Sequence, residues 1–106
     1  MIDWNRVDEL RDEVGAEDFH EVVDLFLEEV DEVIERLKAQ PDTARLEQDL
    51  HFLKGSSLNL GFASFSSLCQ AGEIAARTGR GDEIDLPAIF DAYAKSRSAF
   101  IEKATA

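Results

Sequence analysis

His51 and Lys54 stand three residues apart in the stretch DLHFLKGSSLNLGF, Asp49 to Phe62, and Gly55 follows them directly. A neutral imidazole acts as a nucleophile near neutral pH. A lysine ammonium suits a phosphate. Leu50, Leu53, Ser57 and Leu60 keep a helical rhythm, so Gly55 falls inside a helix, where glycine costs about 1 kcal/mol relative to alanine. The helical wheel supplies a reason for that cost. At 100° per residue, with Leu50 at zero, Leu46, Leu50, Leu53, Ser57 and Leu60 share a direction of about −40°. His51 lies about 140° from it and faces water. Gly55 sits one turn on, directly beside the ring, and Lys54 and Leu58 flank it. Without a Cβ at residue 55, a protein loop or a phosphoryl group can approach the imidazole.

The next helix brings a carboxylate to the same height. The turn between the two helices centres near Phe62, with His51 eleven residues before it and Glu73 eleven after. In an antiparallel hairpin these positions are level. Glu73 accepting a hydrogen bond from His51 Nδ1–H would fix the tautomer and leave the Nε2 lone pair outward. This is the orienting logic of a catalytic triad, applied to a histidine that is itself the nucleophile. Arg77, one turn beyond Glu73, is in reach of that carboxylate or of a phosphoryl oxygen.

The elements that must position these groups are all helical, since no run alternates with period two and no hairpin signal occurs. A short first helix is expected from Asp3, its N-cap, to Val14, with Gly15 as its stop. Val7, Leu10 and Val14 form its stripe. The clearest helix spans about 17–39, with Phe19, Val22, Val23, Phe26, Val30, Val33, Ile34 and Leu37 at three- and four-residue steps. A third spans about 43–60, capped by Asp42 and ended by Gly61. A fourth spans about 64–79, capped by Ser64, with Phe65, Leu68, Cys69, Gly72 and Ala76 inward. A fifth spans about 86–104, with Pro87 in its first turn and Ile89, Phe90, Tyr93, Ala94 and Phe100 inward. Short connections between long amphipathic helices predict an all-α, antiparallel up-and-down four-helix bundle, with the first helix covering one end through Ile2 and Trp4.

The totals narrow the function classes. A chain of 106 residues fits one domain, 1–106. Its formal net charge of −12 opposes nucleic acid and anionic membrane surfaces as partners. No apolar run is long enough to span a membrane. The acidic N-terminus has no apolar core of a signal peptide. The single cysteine, Cys69, precludes an internal disulfide, argues against a cysteine zinc site and fits a reducing cytoplasm. At its core spacing it reads as packing.

HFLKGSSLNLGF closely resembles the signature of histidine-containing phosphotransfer (HPt) domains: His51, two residues, Lys54-Gly55-Ser56-Ser57, then Asn59 and Gly61. The segment SLCQAGEIAARTG is similar to the family's following helix, and the resemblance covers roughly residues 17–104. It implies a four-helix bundle that carries a phosphoryl group on His51. The group would pass between receiver-domain aspartates in a two-component phosphorelay, or come from a hybrid histidine kinase. By matched position Lys54 would steady the phosphoryl group and Gly55 would clear the docking surface. Glu73 stands where the family commonly has Gln or Glu bonded to the histidine. Gly72 departs from a common leucine. The Mg²⁺ and acidic pocket would belong to the receiver, leaving this chain without a cofactor of its own. Standalone HPt proteins resembling this one are often monomeric. The sequence holds no Walker loop and no Gly-rich nucleotide fingerprint, so autophosphorylation from ATP is not expected.

Other readings stand beside this one. A bundle of the same fold can dock on a receiver or kinase without carrying phosphate. The dimerising hairpin of a histidine kinase needs a fused ATP-binding domain. Glu17 and His20 form a Glu-x-x-His pair, a spacing used in di-iron bundles, but those need a second pair and further glutamates. Ser56 and Ser57 read as small packing residues, and Asn59 and Gly61 as helix-end chemistry. Leu58 and Leu27 read either as exposed docking hydrophobes or as partly buried edge residues.

Overall fold

The computed structural model describes residues 2–42 and 44–104. Its elements are α1 (Trp4–Val14), α2 (Ala16–Ala39), α3 (Leu46–Leu60), α4 (Ala63–Arg77), a single 3₁₀ turn (Gly81–Glu83) and α5 (Leu86–Ala104). No strand occurs among the described residues.

Each helix is set by its apolar stripe and its ends. On α2, Phe19, Val23, Leu27, Val30, Ile34 and Leu37 are buried. Glu17 and Asp18 in its first turn, and Arg36 and Lys38 in its last, oppose the helix dipole. The Asp3 carboxylate accepts from Arg6 N at 3.3 Å and caps α1. The Asp85 carboxylate accepts from Ala88 N at 3.0 Å at the start of α5. Leu46, Leu50, Leu53 and Leu60 of α3 are all buried, as the wheel requires.

Several expected boundaries and faces move. The helix expected from about 43 begins at Leu46, and residue 43 lies outside the described residues. Asp42 caps nothing on α3. Its carboxylate accepts from Ala44 N at 2.9 Å and closes a turn ahead of the helix. Ser64 is no cap either, because α4 starts one residue earlier, with Phe62 in the cap position. The complete burial of Phe62 holds the chain there. The fourth helix stops at Arg77 rather than 79, where Arg80 N bonds Ala75 O at 2.7 Å across Gly79. The inner face of α4 is Phe65, Ser66, Cys69, Gly72 and Glu73, so Leu68 lies outside at 38% exposure. On α5 the expected Ala94 is exposed, and Ser96 takes the buried position. Leu27 belongs to the core, not to a docking surface. A Cβ on Gly72 would come within 2.9 Å of Leu50 Cδ1, so Leu50 occupies the space a leucine at 72 would need.

The α3–α4 turn is the point on which α1 sits. Gly61 ends α3 in the left-handed region, at φ 78°. There Phe62 N bonds Ser57 O at 2.9 Å and Gly61 N bonds Leu58 O at 3.2 Å. Asp3 N donates to Gly61 O at 2.7 Å. Trp4 stacks on Phe100 with ring centroids 6.0 Å apart, and Lys103 Nζ lies 4.4 Å from the Trp4 ring centre. Ile2 and Trp4 pack against the core. Two polar clasps tie α2 to its neighbours. Arg36 grips Asp49 of α3 with both ends of its guanidinium, at 2.8 and 3.0 Å. Arg97 of α5 grips Asp31 at 2.9 and 3.0 Å, and the Tyr93 hydroxyl donates to the same carboxylate.

A methyl group on Gly61 would meet Asp3 O at 2.6 Å. Gly61→Ala is therefore expected to lower stability by about 1–2 kcal/mol from left-handed strain alone, and further by pushing α1 off the turn. Urea unfolding checks it; an unchanged midpoint would mean that α1 does not rest on this residue.

Candidate functional site

α3 and α4 bring His51, Lys54 and Glu73 into one cluster. His51 Nδ1 lies 3.0 Å from Glu73 Oε1, and Lys54 Nζ lies 2.9 Å from Glu73 Oε2. The three differ sharply in exposure: the His51 side chain is 69% exposed, Lys54 23% and Glu73 9%. Glu73 is thus a buried carboxylate with both oxygens engaged by the neighbouring helix, while the ring it holds stands in water. The short Gly61–Phe62 connection puts the two helices in register, which makes residues 51 and 73 level. On the α3 side of the hairpin, Ser57 Oγ returns to Leu53 O, and Ser66 Oγ of α4 reaches Lys54 O at 3.4 Å.

The electrostatics follow from this arrangement. The Lys54 ammonium, and after it the His51 ring, hold the Glu73 carboxyl below the usual carboxylate range, against the burial that would raise it. An ionised Glu73 is acceptor-only, so the imidazole proton belongs on Nδ1 and the Nε2 lone pair points away from the protein. What the cluster can do chemically is present one nitrogen nucleophile of fixed tautomer, with a cation one turn away.

Around the ring the surface is open. A Cβ built on Gly55 meets nothing within 4 Å. Packing therefore does not demand glycine there. Leu58 is 55% exposed, which decides between its two readings in favour of a solvent-facing residue. Arg77 is exposed and makes no ion pair with Glu73, whose oxygens are taken by His51 and Lys54. Ser56 and Ser57 are buried. His20 and Glu17 are exposed on α2. No group of three or more His, Cys, Asp or Glu side chains among the described residues is placed to hold a metal ion. Cys69 is buried, and burial pushes its thiol up to about 12, far from the range of a reactive thiolate.

Two residues near the site had not been singled out. Asp49 is 5% exposed and paired to Arg36. Its signal was an acid about 60° from the apolar direction of α3, a place where a carboxylate needs a partner. Phe52, next to His51, is 36% exposed on the outward side. An aromatic at an outward wheel position was its signal.

Because the folded Glu73 carboxyl titrates below its ordinary value, its contribution to stability is complete above about pH 4.3 and is lost as the pH falls through the lower folded value. The urea midpoints of the wild type and Glu73→Gln should therefore differ most near neutrality and converge in strong acid. A gap that stays constant with pH would mean that Glu73 is not held as the anion.

The profile of the Hpt domain family matches residues 21–100. Searches of curated proteins and of solved structures each found no match. No helix among the described residues is long and apolar enough to cross a membrane. The matched span contains α3, α4 and every member of the His51–Lys54–Glu73 cluster. Hpt domains are phosphocarriers that work by histidine phosphotransfer in two-component signalling and interact with receiver domains. A chain whose described residues form helices and turns without a strand, with the outward His51 imidazole on α3, matched over most of its length by this profile, belongs to the histidine-containing phosphotransfer domain family.

Proposed function

We propose that this chain is a phosphorelay carrier. His51 Nε2 accepts a phosphoryl group from the aspartyl phosphate of a receiver domain, or from a hybrid histidine kinase, and passes it to another receiver. The observation that carries this reading is the exposed imidazole tied at Nδ1 to a buried carboxylate 3.0 Å away. In the transfer, the P–O bond of the acyl phosphate breaks as the P–Nε2 bond forms, and the aspartate leaves as a carboxylate. The proton stays on Nδ1, where Glu73 offsets the positive charge that grows on the ring. Lys54 steadies the phosphoryl oxygens, Gly55 keeps the approach clear, Leu58 gives the partner an apolar contact and Arg77 adds a cation at the edge.

Positioning and charge do the rest, and the Mg²⁺ and acidic pocket are the receiver's. On this reading the chain needs no cofactor and no nucleotide site of its own. It works as one domain, 1–106, in a reducing cytoplasm, and as a monomer, because docking uses the face a dimer would cover. The architecture it requires is an antiparallel up-and-down bundle of α2 to α5. The cross-helix pairs Arg36–Asp49, His51–Glu73 and Asp31–Arg97 support that arrangement.

The experiment is incubation with phosphorylated receiver domains from the same cell, with and without Mg²⁺. The wild type should take up an acid-labile, base-stable label and His51→Gln none, with helix content and receiver binding intact. Receiver binding without label on the wild type would favour a docking module instead. A second outcome concerns Gly55. Since a methyl group there meets open space, Gly55→Ala should stabilise the fold by up to about 1 kcal/mol while slowing transfer from the receiver. A stabilised variant that transfers at the wild-type rate would remove Gly55 from the docking surface.

A further inference from the structure

We infer that the Arg36–Asp49 pair positions His51 by setting the roll of α3 about its own axis; this rests on the carrier reading above. Asp49 lies two residues before His51, is 5% exposed, and is bound through Oδ2 to Arg36 Nη1 at 3.0 Å and through Oδ1 to Nη2 at 2.8 Å. On the wheel the two residues are about 160° apart, on opposite flanks of α3. One flank is therefore tied to α2 through Asp49, and the other to α4 through His51, Lys54 and Glu73.

Between these ties α3 rests on Leu46, Leu50, Leu53 and Leu60. Apolar contact is non-directional and tolerates small rotations. A two-point guanidinium–carboxylate fork is directional. The imidazole Nε2 stands roughly 7 Å from the helix axis, so ten degrees of roll displaces it by roughly 1 Å. A displacement of that size at the reacting atom slows a transfer that depends on in-line alignment. Stability alone is a weak account of a carboxylate at this place, because Asp49 is buried while the Arg36 side chain is 37% exposed, and an ion pair open to solvent on one side contributes little. A requirement for a fixed roll accounts for it.

The test uses the full chain with Arg36→Lys, which keeps the charge and loses the fork, and Asp49→Asn, which keeps the shape and loses the charge. Two phosphodonors are compared. One is a phosphorylated receiver domain, which must dock. The other is potassium phosphoramidate, whose P–N bond breaks with loss of ammonia as the P–Nε2 bond forms, with no docking surface. Both variants should remain folded at the assay temperature by circular dichroism. From the receiver, kcat should fall about tenfold with KM within about twofold of wild type, while labelling from phosphoramidate stays within about twofold. Unchanged rates from both donors would overturn the inference. So would parallel losses from both donors, or unfolding of either variant, since these mark a purely structural clamp. A wild type that takes label from phosphoramidate but from no receiver defeats the carrier reading itself, and the inference with it.

Discussion

The site depends on one buried anion. Glu73 sits between α3 and α4 with one oxygen on the His51 ring and the other on the Lys54 ammonium. A carboxylate out of water is costly unless it is paired, and here both counter-groups come from the neighbouring helix: the His51 ring hydrogen-bonds Oε1, while Oε2 has the Lys54 ion pair without a well-aligned hydrogen bond. The demand runs in both directions. Glu73 needs α3 to be close and correctly rotated, and His51 needs Glu73 to be ionised if its outer nitrogen is to keep its lone pair. Packing of the hairpin and the free lone pair on the outer nitrogen of His51 are thus one requirement.

The second feature is an imidazole that stands in water while everything beneath it is packed. α3 achieves this with an uneven cross-section. Its inner side is leucine and serine, buried throughout, and its outer side around the ring is bare backbone at Gly55 and solvent-facing Leu58. The bare backbone weakens the helix, and the surrounding ties compensate: the αL turn at Gly61, the Asp49–Arg36 fork and the Glu73 cluster all bear on the same fifteen residues of α3.

The outward direction of His51 was legible because four leucines define the inner side of α3 without ambiguity. The level of Glu73 was legible because a tight turn converts equal distances along the chain into equal heights. The rolls of α4 and α5 were less legible. Leu68 and Ala94 were placed inward by spacing alone, yet Ser66 and Ser96 occupy the buried positions. On helices where Ser, Ala and Gly alternate with a few large residues, the apolar direction is blunt, and close contact with a neighbour decides the roll. The caps assigned to Asp42 and Ser64 missed for a related reason. Cap chemistry predicts a start wherever a suitable side chain stands, whereas the buried Phe62 placed the start of α4. The pairing of Asp49 is a tertiary fact that required knowing which helix lies beside it.

The contact between Asp3 and Gly61 has a consequence for how this unit can be cut and joined. α1, Trp4–Val14, precedes the span 21–100 matched by the family profile, yet Val7 and Leu10 belong to the core and Trp4 covers Phe100. An excised fragment or chimaera whose boundary followed the matched span would take Trp4 off Phe100 and Asp3 off Gly61, and leave an aromatic wound open to water. The unit that can be transplanted whole includes its leading helix, and a graft onto another protein is best joined upstream of Ile2.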